Sequence, residues 1–70
     1  GEMVKDRWEI ENNNFRYFDK NGELIVHLFR HLGVWRGFVL GHEKPIKRKR
    51  LTDALEDVRK ALKESGWENE

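Results

Sequence analysis

Apolar and polar residues alternate in the first part of the chain with the period of a β-strand. Residues 7–11 alternate strictly, and residues 15–19 form a second aromatic, β-prone segment. The Asn-rich stretch 12–14 separates the two segments, and the pair Asn21 and Gly22 follows the second one. Both sites predict turns, because Asn and Gly tolerate positive φ angles. The pattern therefore predicts two short strands followed by a tight hairpin turn.

Residues 24–32 fit two patterns. As a strand they place apolar side chains on both faces, whereas as a helix they form an i, i+3, i+4, i+7 stripe that ends at Gly33. The adjacent hairpin signal, the β-branched pair Ile25 and Val26, and the aromatic segment 34–40 favour the strand. We therefore expect strands over 24–32 and 34–40, paired back on each other through a two-residue turn.

A helical period begins only after a break in the pattern. Residues 42–50 are expected to form a loop, because Pro45 cannot donate to a ladder and disfavours a helix before it. Beyond it, a helix is predicted from Thr52 as the N-cap to a left-handed cap at Gly66. Trp67 is expected to fold back onto the helix end. The apolar stripe of this helix comprises Leu51, Ala54, Leu55, Val58, Ala61 and Leu62.

These elements predict an α+β fold, in which a small antiparallel β-meander of three to four strands is followed by one C-terminal α-helix packed on one sheet face. Seventy residues make a single domain, 1–70, and we expect residues 1–6 and 67–70 to fray. One apolar stripe covers one sheet face. Since residues 24–40 are apolar on both faces, we expect something outside the domain to cover the second.

A two-residue turn at positions 32 and 33 assigns the central side chains to the two faces. One face is compact and is expected to carry the helix, and it holds Leu24, Val26, Leu28, Arg30, Trp35 and Val39. The other mixes apolar, imidazole and guanidinium groups, which suits a wetter partner surface. Its residues are Ile25, His27, Phe29, His31, Val34, Arg36, Phe38 and Leu40.

The net charge of +1 conceals a strongly basic middle of the chain. Residues 24–50 carry seven Lys or Arg against one Glu, whereas residues 1–23 and 51–70 have net charges of −2 and −3. The densest part is the run KPIKRKR at 44–50. Because Lys and Arg displace condensed counterions from phosphates, this asymmetry predicts a polyanionic partner.

Aromatic residues near the basic run would add stacking surfaces for bases. We therefore predict a non-enzymatic binding module for nucleic acid, DNA or RNA, which uses the loop 44–50 and an aromatic and basic sheet face. Trp35 is expected to be exposed beside the turn, and Trp8 to pack in the core. The predicted site residues are Phe29, Arg30, His31, Trp35, Arg36, Lys44, Lys47, Arg48, Lys49 and Arg50.

Two alternatives stay open. The basic run can be a solvated loop before an acidic helix, with Lys49 or Arg50 paired to Asp53 or Glu56. The open sheet and the acidic ends also fit a protein-interaction module, such as a small regulator or inhibitor encoded by a phage or mobile element, or a homodimer. In element order only, a three-stranded sheet followed by one helix resembles the DNA-reading domains of the Apetala type and the arm-binding domains of phage integrases, which read DNA with the sheet face.

Other chemistries are not expected. The absence of cysteine excludes disulfides and thiolate metal sites, and it fits a reducing, cytoplasmic (intracellular) compartment. On a strand, His27 and His31 lie about 13 Å apart, too far to chelate one ion, so we expect no metal and no cofactor. No glycine spacing forms a phosphate loop and the core is thin, so no enzyme is expected. No apolar run approaches the ~20 residues of a membrane span, so we expect no membrane partner.

Overall fold

The computed structural model describes residues 7–67, which form a five-stranded antiparallel sheet and one helix. The strands follow one another in chain order across the sheet, so the sheet is a meander. The predicted α+β fold is confirmed, with one strand more than expected, while residues 1–6 and 68–70 lie outside the described residues. The elements are β1 (Arg7–Glu11), β2 (Asn14–Phe18), β3 (Leu24–His31), β4 (Val34–Val39), β5 (Ile46–Arg48) and α1 (Leu51–Glu64).

Two tight turns built from left-handed residues connect β1 to β2 and β3 to β4. Asn12 and Asn13 have φ angles of 42° and 62°, and Leu32 and Gly33 have φ angles of 52° and 75°. Two consecutive positive φ angles characterise the type I′ turn, whose twist matches that of the flanking strands. The second turn produces the register of β3 on β4 that the sequence predicted.

The segment 42–50, predicted to be a loop, contains the edge strand β5. This strand pairs with β4 and places Ile46 opposite Gly37. Pro45 lies immediately before the strand, so its missing N–H does not interrupt the ladder. The prediction was wrong because a strand of three residues, two of them charged, carries almost no alternating pattern.

Helix α1 buries the predicted apolar stripe against the β4 and β5 half of the sheet. Ala54, Val58, Ala61 and Leu62 are buried there, and Leu51 and Leu55 are partly buried. The strand partners in this core are Ile25, Val26, Leu28, Trp35, Val39 and Ile46.

The sequence predicted the C-terminal end of the helix correctly but not its N-terminal end. The N-cap is Arg50, with an extended backbone and no side-chain cap, so the expected N-cap at Thr52 was wrong. The helix begins at Leu51, one residue before Thr52, and Leu51 packs against the core. At the other end, Gly66 has the predicted positive φ angle, 80°. Trp67 was expected to fold back onto the helix end. Its indole N–H donates instead to the carbonyl of Leu40, just after β4, at 2.7 Å.

A bulge interrupts the alternation at the start of β3. The pairing steps from Tyr17 opposite Val26 to Phe18 opposite Leu24, so Ile25 has no partner residue in β2. Ile25 and Val26 are neighbours in the chain, and both are fully buried. The expected position of Ile25 on the second sheet face was therefore wrong, because a bulge breaks the strict two-residue period.

The helix leaves the β1 end of its own sheet face uncovered. Trp8 and Ile10 lie on the helix side of the sheet, as their pairing with Tyr17 and Phe15 shows, yet they are 40% and 65% exposed. Trp35, in contrast, lies under the helix and is only 7% exposed. The roles expected for Trp8 and Trp35 were therefore both wrong, and in opposite directions.

Candidate nucleic-acid interface

The sheet surface opposite α1 is formed by two rows of side chains that cross the strands. One row runs from Arg16 through His27 to Phe38, and each residue is paired with the next. The second row runs from Asn14 on β2 through Phe29 and Arg36 to Lys47 on β5, so it crosses four strands. Because alternate residues share a face, both rows lie on the side away from the helix. This surface, termed the open face, comprises Asn14, Arg16, His27, Phe29, Arg36, Phe38 and Lys47.

Aromatic rings occupy the centre of the open face. The rings of His27 and Phe29 have centroids 5.1 Å apart and are tilted by 38°. Phe38 meets His27 edge-on, with centroids 6.3 Å apart, and its side chain is 42% exposed. Rings that are held by neighbours and still accessible offer π-faces to a planar partner.

His27 contributes a ring but little charge to the open face. Burial, and then the positive charge of Arg16, lower its pKa from the ordinary value of 6.5. Its Nε2 donates to the Asn14 side-chain oxygen at 2.9 Å, which fixes the orientation of the imidazole. At neutral pH the positive charge of this face therefore comes from arginine and lysine.

Two cations flank the rings on the side of β5. Arg36 and Lys47 lie opposite each other on β4 and β5. Within residues 7–67 neither side chain forms an ion pair or a hydrogen bond. The Nε atom of Arg36 is buried without an acceptor in that part of the chain. A buried donor without a partner is costly, and an anionic ligand would supply the missing acceptor.

A shallow groove connects these cations with the phenylalanines. It has a volume of about 350 Å³, and its lining is mainly apolar. The size lies at the lower end of the range of small-molecule sites, although the groove is more open than enclosed. It is lined by Phe29, Arg36, Gly37, Phe38, Pro45, Ile46 and Lys47.

The predicted site residues do not all lie together. Phe29, Arg36 and Lys47 belong to the open face, and His31 follows on the same side at the exposed end of β3. Arg30 and Trp35 lie on the helix side, where the Trp35 ring meets Phe15 edge-on at 5.7 Å. Trp35 is buried, so it offers no stacking surface, and its predicted role was wrong.

The basic run 44–50 is divided between different surfaces. Lys47 is on the open face, whereas Arg48 points to the helix. Lys44 lines a pocket beside α1, and Lys49 and Arg50 are exposed in the bend between β5 and the helix. The run is therefore not a single loop surface, because the strand Ile46–Arg48 alternates its side chains between faces. Phosphate binding by its residues stays a prediction.

The predicted site lacks four residues of this surface, Asn14, Arg16, His27 and Phe38. The signal for two of them is present in the sequence, because the two-residue turn places His27 and Phe38 on the same face as Phe29 and Arg36. Asn14 and Arg16 can be assigned only once the register of β2 on β3 is known.

Arg48 forms a two-point ion pair with the helix. Its Nε donates to one carboxylate oxygen of Asp57 at 2.8 Å, and its Nη2 donates to the other at 3.2 Å. The expected pairing of Lys49 or Arg50 with the first helical turn is not found among the described residues. The hydrogen bond from Arg48 lowers the pKa of Asp57 below its ordinary value of 3.8.

This ion pair makes stability depend on pH. Because the folded pKa of Asp57 is lowered, its contribution is present above the ordinary value and is lost as the pH falls through the folded pKa. We expect Arg48→Gln to lower the free energy of unfolding modestly at pH 7, since both side chains are partly exposed. Urea unfolding at neutral and strongly acidic pH measures this, and a difference that stays constant between the two would contradict it.

The described residues contain no group of three or more His, Cys, Asp or Glu side chains placed to hold a metal ion. His27 and His31 lie on one strand, and His27 is engaged with Asn14. Within the same part of the chain, no helix is long and apolar enough to cross a membrane.

Comparison with known proteins adds no relative to this description. No protein-family model matches the chain, and neither a curated protein nor a solved structure matches it.

Proposed function

We propose that this chain is a binding module, without catalytic activity of its own, that binds nucleic acid with the open face. The observation that carries the proposal is the pair of cations Arg36 and Lys47, which have no ion-pair partner among the described residues and lie beside accessible aromatic rings on the uncovered side of the sheet. Cations bind phosphates, and rings stack on bases, so the face combines the two interactions that nucleic acids offer.

The distribution of charge over the sheet indicates which half of the open face would attract a polyanion. Glu9 and Glu11 lie on β1, at the far edge of the sheet. The Oε1 atom of Glu9 is 3.8 Å from Nη1 of Arg16. The unpaired cations lie at the β4 and β5 end, close in sequence to the exposed Lys49 and Arg50. A polyanion is therefore attracted to the β3–β5 half and repelled from the β1 edge.

Neighbouring residues of β5 provide a matched test of this proposal. We expect Lys47→Gln to weaken binding of a labelled oligonucleotide roughly tenfold at low salt. It should also reduce the slope of log Kd against log salt concentration by about 0.7 to 1, because one phosphate contact is lost. Arg48→Gln removes the same charge one residue away but from the helix side, so affinity should not change. Fluorescence anisotropy over a salt series measures both quantities.

Each outcome of this comparison is informative. Equal losses in the two variants would show that general positive charge, and not the open face, attracts the ligand. No binding by the unmodified protein to single-stranded or duplex oligonucleotides at low salt would remove the proposal.

A second candidate function, protein interaction, rests on a different surface. Trp8 and Ile10 are exposed on the helix side of β1, and the Trp8 ring lies 4.9 Å from that of Tyr17. Exposed apolar groups of this kind mark contacts with proteins or with a second copy of the chain. A dimer in light scattering, combined with no binding to any oligonucleotide, would favour this candidate.

A further inference from the structure

We infer that the ligand of the open face is a single-stranded nucleic acid, one base of which lies in the groove against Phe29 and Phe38. This inference rests on the proposed function and specifies its substrate class. It is carried by the juxtaposition of an apolar groove with two cations at its margin that have no partner in the part of the chain that the structure describes.

The groove matches the two halves of a nucleotide. Its mainly apolar lining and its aromatic rings suit a planar base, which loses little hydration when it stacks. Arg36 and Lys47 line the same groove and suit the phosphate attached to that base. No carboxylate among the described residues lines it, so nothing there repels the phosphate.

The unsatisfied Nε of Arg36 specifies which atom an anion would contact. This atom is buried and has no acceptor within residues 7–67. A guanidinium binds phosphate through two parallel N–H groups, which requires a planar arrangement that lysine cannot reproduce. A turn of the Arg36 side chain toward the groove would expose this donor to a phosphate oxygen at the groove margin.

A duplex fits this surface poorly. Its bases are stacked on each other, so their π-faces are not accessible to protein rings. Duplex grooves present donors and acceptors at base edges, and proteins read them with polar side chains. The centre of the open face holds Phe29 and Phe38 instead, which would desolvate those edges without replacing their hydrogen bonds.

The experiment compares oligonucleotides of equal length and sequence as single-stranded DNA, single-stranded RNA and duplex DNA. With the full chain at low salt, we expect both single strands to bind at least about tenfold more tightly than the duplex. Phe38→Leu keeps an apolar side chain but removes the π-face, and it should weaken single-strand binding about tenfold. Trp8→Leu removes an exposed ring from the other side of the sheet and should leave binding unchanged.

The outcomes separate this inference from the proposed function. If the duplex binds as tightly as the single strands, or if Phe38→Leu binds as well as the unmodified protein, the inference is overturned while nucleic-acid binding stands. If no oligonucleotide binds, both fail. A preference for one of the two single strands supports the inference and identifies the sugar. Amide shift changes confined to β3, β4 and β5 would place the ligand on the expected half of the sheet.

Discussion

Replacing Gly37 with alanine is expected to cost about 3 kcal/mol of folding free energy or more. A Cβ atom at this position would lie 2.3 Å from the carbonyl oxygen of His27 and 2.9 Å from the Cα of Leu28. Both atoms belong to the backbone of β3, so they cannot move aside without disturbing the ladder that holds the centre of the sheet. Urea unfolding followed by tryptophan fluorescence measures the loss.

The sign of this effect makes the test decisive. By intrinsic preference alone, alanine is favoured over glycine in a strand, because glycine loses more conformational freedom on folding. The matched control is Gly22→Asn, at a turn with a φ angle of 85° and no atom near the position of a Cβ. Asparagine tolerates this conformation, so the control should stay within about 1 kcal/mol of the unmodified protein. If Gly37→Ala also changed the free energy of unfolding by less than about 1 kcal/mol, the close packing of β4 against β3 at this position would be contradicted.

The order of elements could be predicted from the sequence because each strand and the helix have a local cause. Positive-φ residues at Asn12, Asn13 and Gly33 fix two turns, and the three- and four-residue spacing of apolar positions fixes the helix. The ambiguous segment that became β3 was resolved by the hairpin signal before it and the β-prone segment after it. Local information was sufficient wherever a neighbouring turn constrained the register.

The composition of the site could be predicted only in part, since it depends on contacts between distant segments. Exposure of Trp8 and burial of Trp35 follow from where the helix lies across the sheet, which no local pattern determines. Lys47 and Arg48 lie on opposite faces of the sheet because β5 pairs with β4. The sequence did not predict this strand, since its residues are mostly charged and show no alternating pattern. Burial of Ile25 follows from a bulge opposite Phe18.

Both the open face and the core depend on the same central strands. Leu28 is fully buried on the helix side of β3, while the adjacent His27 and Phe29 form the rings of the open face. The rings of the open face thus belong to strands whose opposite side is anchored in the core. We therefore expect substitutions on the open face to have little effect on folding, so that their effect on the proposed binding can be measured separately.

Charge reversal at Arg36 is expected to have the largest effect on binding. Arg36→Glu removes a cation from the margin of the groove and places a carboxylate beside the expected phosphate. Losing a charge-assisted hydrogen bond and adding repulsion should weaken binding of a single-stranded oligonucleotide on the order of 100-fold at low salt. Arg36→Lys keeps the charge but not the planar pair of donors, so an intermediate loss is expected. Anisotropy titrations measure the affinities, and circular dichroism verifies that each variant is folded.

The control for general electrostatics is Arg59→Glu on the exposed side of the helix, which changes the net charge by the same amount. When Arg36→Glu and Arg59→Glu are both titrated at about 0.1 M salt, we expect the Arg59 variant to lose less than about threefold in affinity. At that salt concentration the screening length is about 10 Å, so its charge is screened from a ligand on the opposite side of the sheet. If both reversals weaken binding equally, the protein binds through its overall field and the open face has no special role. If Arg36→Lys binds as weakly as Arg36→Glu, the geometry of the guanidinium matters more than its charge, and the buried Nε would be the principal phosphate contact.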